Sequence, residues 1–139
     1  MSDRGAKTVA FWTTTILGPA SFVIGGVLHV TQSEEGVATL HHLGYPAYFA
    51  LLLGAWKLVG AIVIAAPGLP RLKEWAYAGF VFDLTAAAAS RAVVGDSAGD
   101  IIAPLVFLAL VLASWALRPA SRMLAAPSVP NAAPLRRAA

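Results

Sequence analysis

PAYFALLLGAWKLVGAIVIAA, residues 46–66, decides the class of this chain. A helix needs about 20 apolar residues, rising 1.5 Å each, to cross a hydrocarbon core roughly 30 Å thick. This stretch has that length, and its single charge is Lys57. Working outward, the same texture recurs three times. EWAYAGFVFDLTAAAASRAVV at 74–94 and IIAPLVFLALVLASWAL at 101–117 follow it, and VAFWTTTILGPASFVIGGVLHV at 9–30 precedes it. Apolar residues in long blocks, rather than short periodic segments with a polar face, point to lipid as the solvent. The whole chain agrees. Of its 139 residues 58% are hydrophobic and 12% charged, against roughly 45–50% and about 25% in ordinary soluble domains. The predicted fold is all-α: an integral membrane four-helix bundle over residues 1–119, followed by a disordered cytoplasmic tail over 120–139, where prolines and alanines alternate.

The connections carry their own signals. In the first block Gly18-Pro19 removes an amide donor, so a kink is expected there, with the carbonyl of Thr15 left to the Thr13–Thr15 hydroxyls or a neighbouring helix. The basic start, Arg4 and Lys7, resembles a signal peptide, but the apolar run exceeds the usual ~7–15 residues and leads into VTQSEEG with no small-residue cleavage site, so the block reads as a retained helix. Between the first two spans Ser33 is placed to cap a short interfacial helix, Glu34 and Glu35 suit its positive N-terminus, and Gly44 ends it. Val37, Leu40 and Leu43 form its apolar edge. Pro67, Gly68 and Pro70 predict a tight turn between the second and third spans.

Lys and Arg positions set the expected orientation. With the N-terminus inside, Arg4, Lys7, Arg71, Lys73, Arg118, Arg122, Arg136 and Arg137 are cytoplasmic, and only Arg91 lies toward the outside. Both termini are therefore expected in the cytoplasm of a bacterial inner-membrane, multi-pass protein. The net charge of +3 comes from these flanking residues and forms no dense basic stripe, so the partner is the bilayer and nucleic acid is excluded. The chain has no cysteine, which excludes disulfides, thiol redox chemistry and Cys-ligated metals within it.

Lys57 stands eleven residues into the second span and Asp83 nine into the third, so antiparallel helices bring them to one depth. An ionised residue at mid-bilayer costs about 2.5–3.5 kcal/mol on the insertion scale, and pairing is the simplest remedy. The pair has two readings: a polar centre for proton transfer or a ligand carbonyl, and a salt bridge that fixes helix register. Arg91 lies eight residues past Asp83, about 12 Å along the same helix. It either lines the outer half of a cavity or snorkels to the interface. His29 ends the first span near the level of His41 and His42, whose side chains have a place at the outer mouth as hydrogen-bonding or proton-exchanging groups. Their spacing matches no metal motif, and no metal is expected. Small residues in the spans, Ser21, Gly25, Ala50, Gly54, Gly60, Gly79 and the run Ala86–Ala89, suit close helix packing.

HLGYPAYF at 42–49, LGAWKLVGAIVIAAP at 53–67 and PRLKEWAYAGFVFDLTAAAASR at 70–91 resemble the DoxX-like family of small bacterial membrane proteins, and the likeness extends over all four spans. At Ser90-Arg91 many members are expected to carry Ser-His, so no role resting on a histidine there transfers. The family takes its name from a subunit of a thiosulfate:quinone oxidoreductase, and its relatives are associated with quinone and redox-stress functions. The resemblance thus implies an accessory or quinone-interacting subunit of membrane redox metabolism, working with a redox partner protein or as a homo-oligomer. A quinone slot needs apolar walls and donors for two carbonyl oxygens. Lys57, His29 and His42 are the candidate donors and Trp56 and Phe80 the walls. The alternatives are a non-catalytic assembly or scaffold protein and a binder of another small hydrophobic substrate. No nucleotide-binding loop or nucleophile motif accompanies them, so whether the chain is an enzyme stays open.

Overall fold

Proline at position 19 cannot continue a helical hydrogen-bond ladder, and the first span breaks there. The computed structural model describes residues 3–124, and its elements run α1 (Asp3–Leu17), α2 (Ser21–Val30), α3 (Glu34–His42), α4 (Ala47–Ala65), α5 (Pro70–Val94) and α6 (Ala98–Ala116), closed by a 3-10 turn at Ala120–Arg122. Gly5–Val30, α4, α5 and α6 are each long and apolar enough to cross a membrane. The Thr15 carbonyl freed at the break accepts the Ala20 amide at 2.9 Å, so the chain satisfies it from within the kink rather than through a threonine hydroxyl. Thr15 Oγ1 donates instead to the Phe11 carbonyl and shares a 2.6 Å hydrogen bond with Ser114 Oγ, which also meets the Tyr77 hydroxyl at 2.8 Å. Ser114 is fully buried, and this polar node joins α1, α5 and α6.

The break changes the span's partner halfway. α1 packs on α6, α2 packs on α4, and α5 lies against both α4 and α6. Close approach at the two crossings falls on glycine. A Cβ at Gly54 would sit 2.8 Å from the Gly26 carbonyl oxygen, His29 Cβ and the Val30 amide nitrogen, and one at Gly18 would sit 3.0 Å from Leu110 Cβ. Gly60 faces the Phe80 ring in the same way, whereas Gly25 and Gly79 look onto open space. The close-packing glycine of the first span is therefore Gly26, not its neighbour Gly25. Phe22 stacks on Phe80 with ring centroids 3.8 Å apart, and with Ile64, Tyr77, Leu84 and Val111 they make the core. Large side chains on the outer faces, such as Ile24, Phe82 and Val93, are 68%, 71% and 86% exposed. Such faces are stable only against lipid.

The short helix between the first two spans is present. Ser33 Oγ accepts the Gly36 amide at 3.1 Å, Glu34 and Glu35 occupy the first turn, and Leu40 is buried. Gly44, at φ +86°, turns the chain toward α4. Helix starts lie earlier than expected at three places. α1 begins at Asp3, not 9. α5 begins at Pro70, not 74, because Pro pre-sets the helical φ at the first position. α6 begins at Ala98, not 101, because Ser97 accepts the Asp100 amide.

The end where α1 starts and α6 finishes is built differently from the sequence expectation. Lys73 and Arg118, read as loop charges, are 1% and 6% exposed. Lys73 Nζ donates to the carbonyls of Val63, Ile64 and Ala66, closing the last turn of α4. Arg118 pairs with Glu74 at 2.7 Å and lies over the Tyr77 and Trp115 rings. Arg122, at the head of the expected tail, donates to the Ile64 carbonyl at 2.9 Å. The rest of that tail, 125–139, lies outside the described residues.

Candidate ligand-binding cavity

Because α2 leans onto α4 while α1 stays with α6, the two halves of the bundle part toward the end that carries α3. A cavity of about 680 Å³ opens there, lined by α2, α3, α4, α5 and α6. Its volume falls within the ~300–1,000 Å³ of small-molecule sites. Its floor is the expected ion pair: Lys57 Nζ lies 3.4 Å from Asp83 Oδ2, each side chain 16% exposed. The distance exceeds the ~2.7–2.9 Å of a strong charged hydrogen bond. An ammonium has three donors, and the contacts of Lys57 are this one carboxylate oxygen and the face of Phe22, 5.7 Å from the ring centre. Donors remain for a ligand.

His29 lines the same cavity. Gly54 on α4 and Gly36 on α3 leave room for its ring, which is 9% exposed. Its Nδ1 is fully buried and has no hydrogen-bond partner among the described residues, whereas buried side-chain nitrogens nearly always have one. Arg91 lines the cavity too and is held at the rim by Asp96, 3.0 Å away, and Asp100, 3.7 Å away. Trp56 borders the cavity but is 67% exposed, so it stands at an edge rather than forming an inner wall. Phe80 is in the core under Phe22. The structure therefore gathers Lys57, Asp83, His29, Arg91 and Trp56.

His42 stands apart. Its side chain is 57% exposed, and its Nε2 meets Asp96 Oδ1 at 2.6 Å, on the rim and away from the lining of the cavity. Asp96 is thus shared by His42 on α3 and Arg91 on α5. The hydrogen bond from His42, helped by its charge and by Arg91, holds the Asp96 carboxyl below the usual carboxylate range against a smaller opposing effect of burial. Tyr45 and Ser90 share a further 2.8 Å hydrogen bond close by. Asp96 is the site residue that the sequence left among the loop charges. The GD turn after α5 gives no local signal, because its partner His42 is 54 residues away. Phe107 and Pro104 on α6, which close the far wall, look in sequence like any lipid-facing residues. Among the described residues, no group of three or more His, Asp or Glu side chains converges on one point as a metal site.

The DoxX-like family profile matches residues 13–114, well over half of the chain and the whole of the cavity lining. The chain belongs to the DoxX-like family. No curated protein and no solved structure matches it. This DoxX-like membrane protein thus combines four spanning helices with a polar-floored cavity between them. The cavity fits a quinone by its donor set: spare ammonium donors on Lys57, an unpartnered imidazole nitrogen on His29, and apolar walls from Leu53, Leu84 and Phe107.

Proposed function

We propose that this DoxX-like protein binds a quinone in the cavity floored by Lys57 and Asp83, as an accessory subunit of membrane redox metabolism beside a redox partner. The observation that carries the reading is the loosely paired Lys57 ammonium on the floor of an apolar-walled cavity that His29 also lines. When bound, a quinone supplies two-electron, two-proton carrier chemistry. The chain's own residues hold it: Lys57 donates to one carbonyl oxygen, His29 to another polar atom of the head, and Asp83 keeps the Lys57 ammonium in place. Positively charged residues gathered at the termini end support cytoplasmic termini in a bacterial inner membrane.

Purification in mild detergent followed by lipid extraction and mass spectrometry tests this. Co-purifying quinone, or saturable binding of an added benzoquinone that Lys57→Met weakens, is the expected result. Protein carrying native lipids but no quinone, with no binding on titration, overturns it. The second reading, a scaffold protein whose Lys57–Asp83 bridge fixes the register of α4 on α5, is favoured by the bridge's position between those two helices. It predicts full function for a paired apolar replacement.

A further inference from the structure

A second opening lies on the other side of the same ion pair. It is a slot of about 280 Å³ between α4 and α5, and it shares Leu53, Trp56, Lys57, Gly79 and Asp83 with the cavity. From the pair it follows α4 through Val59 and Val63 to its C-terminal end, and α5 back through Ala76 to Leu72 near its start. At 1.5 Å per residue, Asp83 to Leu72 is about 16 Å. Every other lining side chain is apolar, so Lys57 and Asp83 are the slot's only charges. Val59, Leu72 and Trp75 on its walls are 49%, 49% and 78% exposed, on a surface that faces lipid. At Gly60 the missing side chain makes room for the edge of the Phe80 ring, and both residues line the slot.

We infer that this slot takes the single apolar tail of the ligand whose head lies at Lys57, and that the ligand enters sideways from the bilayer between α4 and α5. The inference rests on the quinone reading and adds where the tail goes. Three features argue for that occupant. The slot is long and narrow, about 280 Å³ spread along its run from Asp83 to Leu72, a shape that suits a chain. It shares the Lys57–Asp83 floor with the cavity, so a head on the spare Lys57 donors lies beside the slot's end. A phospholipid acyl chain keeps its headgroup at the interface and brings no polar atom to Lys57, whereas a tailed quinone brings a carbonyl there.

The test compares two probes that share a head: a benzoquinone without a tail and the same benzoquinone carrying a decyl chain. Affinities are measured by isothermal titration in lipid nanodiscs, with protein-free nanodiscs as the partition reference. Leu72→Trp and Val59→Trp each place a ring on a half-exposed slot wall, so failure of one to fold leaves the other. The readout is the ratio of the two affinities. Against the nanodisc reference the tail passes from lipid into the slot, so its preference rests on packing contacts, and a ring filling the slot lowers the preference for the decyl probe by about tenfold or more. A ratio that stays within about twofold of wild type overturns the tail assignment while leaving the head site standing. Equal losses for both probes overturn it as well, because the slot then belongs to the head site. Wild-type protein that binds neither probe overturns the quinone reading itself, and this inference with it.

Discussion

His29 and the Lys57–Asp83 pair differ in what their removal leaves behind. His29 Nδ1 has no partner to orphan, and an unsatisfied buried polar group costs about 1–3 kcal/mol. His29→Leu is therefore expected to leave thermal stability of the ligand-free protein level or raised while weakening benzoquinone binding about tenfold; a fall in both assigns His29 to packing. The pair behaves in the opposite way. Lys57→Met or Asp83→Asn alone strands one charge in a mostly buried place and is expected to cost up to about 3–5 kcal/mol, whereas the double change recovers most of that. Unfolding of the four proteins in one detergent closes this cycle, and independent, additive losses dismiss the bridge. The pairing itself was legible in the sequence, because two charges at equal depth in antiparallel apolar helices have few alternatives to each other. The empty hydrogen-bonding capacity of His29 was not, because it depends on Gly54 and Gly36, which lie on two other helices and shape the ring's surroundings.

At the scale of elements, the α2–α4 crossing rests on missing side chains. A Cβ at Gly54 meets backbone atoms of α2 at 2.8 Å, and backbone cannot rotate away. Gly54→Ala is expected to destabilise by about 1–3 kcal/mol, while Gly25→Ala, on α2 but in open space, gains a few tenths to about 1 kcal/mol from helix propensity. Equal effects of the two in thermal melts dismiss the crossing. The rim joins α3 to α5 by charge. Since the Asp96 carboxyl titrates lower in the folded protein than in the unfolded chain, its contribution is full above the unfolded value near 3.9 and disappears as pH falls through the lower folded one. Wild type is expected to lose more stability than Asp96→Asn as pH drops from about 5 to below about 4, and parallel curves for the two contradict the tie. The four spans and the Ser33 cap were readable from apolar runs and capping residues, the helix starts less so. The buried roles of Lys73 and Arg118 were not: a basic residue near a span end looks alike in sequence whether it faces water or closes a neighbouring helix, and only the turn at Gly68 and Leu69, both at positive φ, folds Lys73 back under α4.

For the molecule as a whole, the absence of cysteine makes topology directly measurable. Single cysteines at Ala38 on α3 and at Gly99 at the start of α6 are expected to react with a membrane-impermeant maleimide applied from outside the inner membrane, and one at Ala66 between α4 and α5 is expected to react only after permeabilisation. The reverse pattern inverts the proposed orientation. The bundle's helix count and hydrophobic spans could be read before any coordinates, yet the cavity could not. It arises because Pro19 lets one span serve two neighbours, and neighbours are a property of the assembled bundle. That division of the first span also orders biogenesis. As the chain leaves the ribosome, α2 meets its partner α4 once the second span has been inserted, but the partner of α1, α6, is made only after α4 and α5. Until then Thr15 lacks its bond to Ser114, so α1 settles later than α2, and a nascent chain stalled before α6 holds half of this span unclaimed and open to capture by chaperones or membrane proteases.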